Sequence, residues 1–130
     1  MTEELVTLET AKLLKAAGFK EDVSSFYELV YKGGSSPEYE IDESYDAQNY
    51  NTDVYSISAP TQSIAQRWLR ETKKLHITIY NSASGYTYDI SKADMGTVLY
   101  CFPEGPNDGG NWDTYEEALE AGIIKALKLI

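Results

Sequence analysis

Apolar positions near the start of the chain recur with a helical period. Leu8, Ala11 and Leu14 lie on one face, and Gly18 offers the left-handed stop, so residues 7–18 read as a helix with Phe19 packing back on it. The pattern then changes. Residues 24–32, SSFYELVYK, are rich in aromatic and β-branched types and predict a strand, followed by a turn at Gly33, Gly34, Ser35, Ser36 and Pro37. Residues 38–45, EYEIDESY, alternate acids with Tyr39 and Ile41, the pattern of a hairpin partner at a sheet edge. Residues 46–58 are polar, with Tyr50 and Tyr55 as their large rings, and read as a linker or mobile loop.

A second helical period starts at Pro60 or Thr61, Pro being suited to a first turn because its missing N–H would be unpaired anyway. Ile64, Ala65, Trp68, Leu69 and Thr72 share a face, and Arg67, Arg70 and Lys74 lie on another. After Leu75 the period becomes two. Ile77 and Ile79 oppose His76, Thr78 and Tyr80, and turns at 81–85 and 91–96 lead into strands at 86–90 and 97–102. Turns this short join antiparallel neighbours, so the three strands form a meander.

Residues 103–113 are a breaker-rich connection with Trp112 as its anchor. Thr114 and Glu117 then have capping-box spacing, and Leu119, Ile123, Ala126, Leu127 and Ile130 mark a final helix that docks on the sheet. Gly122 inside it costs about 1 kcal/mol relative to Ala, which points to a close neighbour. The predicted fold is α+β: an antiparallel sheet with flanking helices, its C-terminal part running helix-strand-strand-strand-helix. Residues 1–130 are expected as one compact domain, with a helix-hairpin (1–45), a linker or loop (46–58) and a helix-meander-helix (59–130) as its subdivision.

Charge narrows the functions. The 130 residues carry 11 Lys and Arg against 21 Asp and Glu, a net charge of −10. Such a field repels phosphate backbones and anionic lipid and favours cationic partners. Cys101 is the one cysteine, so no disulfide or CxxC pair exists within the chain. The start, MTEELVTLETAKLL, lacks the basic and apolar sequence of a secretory signal, and no apolar run reaches the roughly 18 residues of a membrane span. A cytoplasmic location without membrane contact is the expectation.

No Lys or Arg falls between Gly33 and Gln66, whereas acids and phenols cluster there. Glu38, Tyr39, Glu40, Asp42, Glu43, Tyr45, Asp46, Tyr50, Asp53 and Tyr55 are therefore the candidate partner-binding residues. Asp42, Ser44, Asp46 and Asp53 also fall at calcium-loop positions, but Ala47 stands where the sharp turn needs Gly, and no metal is expected. Arg67, Arg70, Lys73 and Lys74 form an alternative basic patch for a nucleotide or oligonucleotide. His76 and Cys101 are the remaining base and nucleophile; with no GxSxG elbow, His76 reads as a packing or surface residue and Cys101 as a small buried hydrophobe. Neither GxGxxG nor GxxxxGK[ST] occurs, so no cofactor and no catalytic residue is expected. The order from residue 61 onward has the topology of a double-stranded RNA-binding domain. Asp113, Glu116, Glu117 and Glu120 at the start of the last helix would oppose phosphate, so nucleic acid is an unexpected partner.

Three blocks, ETAKLLKAAGF at 9–19, SAPTQSIAQRWLRE at 58–71 with HITIY at 76–80, and TYEEALEAGIIKALKLI at 114–130, carry a resemblance. Over about half the chain they resemble small hypothetical proteins of gut Bacteroidetes and their phages or prophages. The resemblance implies a mobile-element or accessory setting and no activity. With the acidic field, it leads to the expectation of a non-enzymatic protein that binds another protein, including counter-defence by imitation of nucleic acid.

Overall fold

The computed structural model describes residues 3–34 and 36–130. Met1, Thr2 and, within the predicted turn at 33–37, Ser35 lie outside the described residues. Three helices and two three-stranded antiparallel sheets make an α+β fold, and the chain divides into two compact units. The first is Leu5–Thr61; the second is Gln62–Ile130 together with Glu3 and Glu4.

In the first unit, α1 (Leu8–Ala16) begins where Thr7 Oγ1 accepts the Thr10 N–H. It ends at Gly18, whose φ of +95° lets the Phe19 N–H reach the Leu14 carbonyl at 3.0 Å. Phe19 is thereby folded back and buried beside Val6, Ala11 and Leu14, as the periodicity predicts. Strands β1 (Val23–Val30), β2 (Glu38–Gln48) and β3 (Ser56–Ser58) form a sheet in the order β2-β1-β3. Val23 and Ile57 bury one face of it against the α1 side.

The polar tract at 46–58 differs from the expected loop. Its first residues belong to β2, its last are β3, and the stretch between is held by its own polar groups. The Asp53 carboxylate accepts the N–H groups of Tyr55 and Ser56, and Asn51 Oδ1 accepts the Ser58 N–H at 2.8 Å. Short polar side chains of this kind satisfy backbone donors locally, so a low apolar content still gives an ordered segment. The unit closes where Leu5 pairs with Thr61 and the Val6 N–H donates to the Pro60 carbonyl at 3.0 Å. Pro60 thus ends this unit and does not open the next helix.

In the second unit, α2 (Gln62–Thr72) starts with the Gln62 N–H bonded to the Glu4 carbonyl. Strands β4 (Leu75–Ser82), β5 (Gly85–Lys92) and β6 (Val98–Tyr100) follow as the predicted meander. Ile77, Tyr88 and Ile90 point to α3 (Tyr115–Lys128) and are buried with its Ala118, Leu119, Ile123 and Ala126. Gly122 is the point of closest approach: a Cβ there would lie 2.9 Å from Ile77 Cγ2 and 3.3 Å from Tyr88 Cγ. Thr114 caps the helix, accepting the Glu117 N–H at 3.1 Å, while the Glu117 carboxylate takes the Thr114 hydroxyl. Trp112 anchors the preceding connection through a two-bond backbone bridge to Tyr86. Among the described residues no helix is long and apolar enough to cross a membrane.

Candidate acidic interface

Strand alternation sorts the acidic tract into two faces. Register pairs Phe26 with Asp42, Glu28 with Glu40 and Val30 with Glu38, so Glu28, Glu38, Glu40 and Asp42 leave the sheet on the same side. All four are exposed. Glu28 was not legible as a member of this group, because only the register brings it opposite Glu40. Like charges directly opposite on neighbouring strands destabilise the pair, and among the described residues the one ion pair on this face is Lys32 Nζ, 2.6 Å from Glu40 Oε1. Four carboxylates against one ammonium leave the face strongly negative.

Tyr39, Ile41 and Glu43 take the other face, with Tyr27 and Leu29. There the Lys12 ammonium sits 5.3 Å from the Tyr39 ring centroid. Beyond Glu43 the register slips: Ser24 alone stands against residues 44–47 before Val23 pairs with Gln48. This bulge carries Tyr45, fully exposed, and Asp46. Strand β2 is also an edge, with one row of backbone groups outside the sheet.

Of the remaining candidates of the tract, Tyr50 and Asp53 are held by structural contacts. The Tyr50 ring stacks on Phe26 at 4.1 Å, and its backbone N–H donates to Ser58 Oγ. Asp53 caps its turn, and its carbonyl accepts from Lys15 Nζ. Tyr55 is exposed beside them.

The residues of the basic patch have different surroundings. Arg67 is exposed on α2, Lys73 lies 5.5 Å over the Trp68 ring, and Lys74 pairs with Asp94 at 3.7 Å. Arg70 lines a cavity with His76 and Lys92, two residues the sequence did not group with it. His76 and Cys101 are not brought together, since Cys101 lines a different cavity with Tyr80, Asp89 and Phe102. Cys101 is exposed and not the buried hydrophobe expected, because the chain leaves the sheet after Tyr100.

The Tyr80 hydroxyl donates to Asp89, and this bond, more than burial, raises its pKa above the ordinary phenol value. Among the described residues no group of three or more His, Cys, Asp or Glu side chains is placed to hold a metal ion. No protein-family model, curated protein or solved structure matches the chain.

Proposed function

We propose that the chain is a non-enzymatic interaction protein whose first unit presents the acidic sheet face to a cationic protein partner. The observation that carries this reading is the cross-strand grouping of Glu28, Glu38, Glu40 and Asp42 on an exposed face with Lys32 as its counterion. Such a face gives up part of its own stability, and a basic partner would relieve the repulsion. The exposed Tyr45 on the bulge adds a large contact area at low entropic cost beside the charge. Imitation of nucleic acid is a narrower form of the reading. Carboxylates at every second residue stand about 6.7 Å apart, whereas one DNA strand carries a phosphate per about 3.4 Å of axis. That charge density favours a basic protein surface in general over a strict copy of the duplex.

The test compares proteins retained from a host lysate by the tagged full chain and by a variant with Glu28→Gln, Glu38→Gln, Glu40→Gln and Asp42→Asn. The reading expects basic proteins that the variant fails to retain and that salt releases from the wild type. Identical retention by both would overturn it.

A further inference from the structure

Within the acidic chain, one cavity in the second unit has the opposite character. It measures about 400 Å³ and is lined by Arg70 from the end of α2, His76 at the start of β4, Ser91 and Lys92 at the end of β5, and Ala93, Asp94 and Gly96 of the following turn. His76 and Ser91 are cross-strand partners, so imidazole and hydroxyl leave the sheet side by side. Their backbones are bonded in the ladder and turn, but among the described residues the side chains of Arg70, His76 and Lys92 make no hydrogen bond or ion pair. The one carboxylate at the rim, Asp94, is engaged by Lys74.

A guanidinium, an ammonium, a hydroxyl and an imidazole therefore line one cavity with no side-chain acceptor of their own. Guanidinium and ammonium groups left unpaired around a concavity are the donor set that recognises a phosphate. We propose that this cavity binds a compact dianion, an inorganic phosphate or a small phosphomonoester, through Arg70 and Lys92 with Ser91 and His76 as further donors.

The size of the ligand follows from the surroundings. Screening confines exposed charges to a range of about 8 Å at physiological salt. A small dianion feels mainly the cavity, whereas a polyanion would extend over a chain of net charge −10.

The test titrates the full chain with inorganic phosphate, adenosine monophosphate and a single-stranded oligonucleotide at matched ionic strength, read by amide NMR. Phosphate and the monophosphate should shift His76, Ser91, Lys92 and Gly96. Equal affinity would assign recognition to phosphate alone, and tighter binding of the monophosphate would add a contact to its organic part. Arg70→Gln and Lys92→Gln should each weaken binding about tenfold or more, the size expected for one charge-assisted hydrogen bond. Lys92 is exposed, so its variant tests the site without threatening the fold. The inference fails if neither anion shifts these amides, if both variants bind like the wild type, or if the oligonucleotide binds more tightly than the monophosphate.

Discussion

Replacing Glu28 by Gln should stabilise the first unit. The side chain faces Glu40 directly and Glu38 and Asp42 diagonally. Directly opposed carboxylates at about 6 Å repel by about 0.7 kcal/mol in water, and diagonal ones at about 8 Å by about 0.5 kcal/mol each, before screening. The Lys32 ammonium on Glu40 offsets part of this. The expected gain is about 0.5–1 kcal/mol at low ionic strength, and screening over about 3 Å in 1 M salt should nearly erase it. Because the chain has two units, a single global unfolding midpoint is a poor readout. Residue-resolved hydrogen exchange is better suited, followed at the Leu29 N–H, bonded to the Tyr55 carbonyl, and the Ala59 N–H, bonded to the Ser25 carbonyl. Protection should rise about two- to fivefold in low salt and converge with wild type in high salt. Unchanged or reduced protection, or a gain that persists in 1 M salt, would refute the repulsion.

Two further outcomes concern the second unit. Gly122→Ala should destabilise it by about 1 kcal/mol, read by hydrogen exchange at the mutually bonded Tyr86 and Trp112 N–H groups, because overpacking against Ile77 and Tyr88 exceeds the roughly 1 kcal/mol of helix propensity gained; a more stable variant would contradict the close approach. Burial, followed by the neighbouring Tyr100, pushes the Tyr88 phenol up from 10.0 to about 12. The folded state holds that proton more tightly than the unfolded state, so stability is complete below pH 10 and declines between about 10 and 12. Alkaline melts of Tyr88→Phe should show a shallower decline there than wild type, and parallel curves would refute the assignment.

Much of the fold was legible because its signals are local. Thr7 and Gly18 bound α1, Thr114 and Glu117 mark the start of α3, and the change of period at Leu75 marks β4. Gly122 announced a close contact by its cost alone, and the contact proved to be Ile77 and Tyr88. The acidic tract was legible as composition but not as a surface. Alternation splits it, Tyr50 is drawn into stacking on Phe26, a partner that sequence spacing does not identify, and Asp53 turns inward to cap its own turn at Tyr55 and Ser56. Glu28 joins the face through strand register, and Arg70 meets His76 and Lys92 only after three elements pack. Both groupings are non-local, which is why neither could be read from a motif.

The central claim is that Glu28, Glu38, Glu40 and Asp42 act together as a surface for a cationic partner. Its most direct measurement is an amide NMR titration of the full chain with an Arg- and Lys-rich peptide, repeated with the variant that neutralises all four carboxylates. The account predicts shifts concentrated in β1 and β2, at residues 26–30 and 38–42, that salt suppresses and the variant loses. Shifts spread evenly over the acidic surface, or retained by the variant, would contradict it.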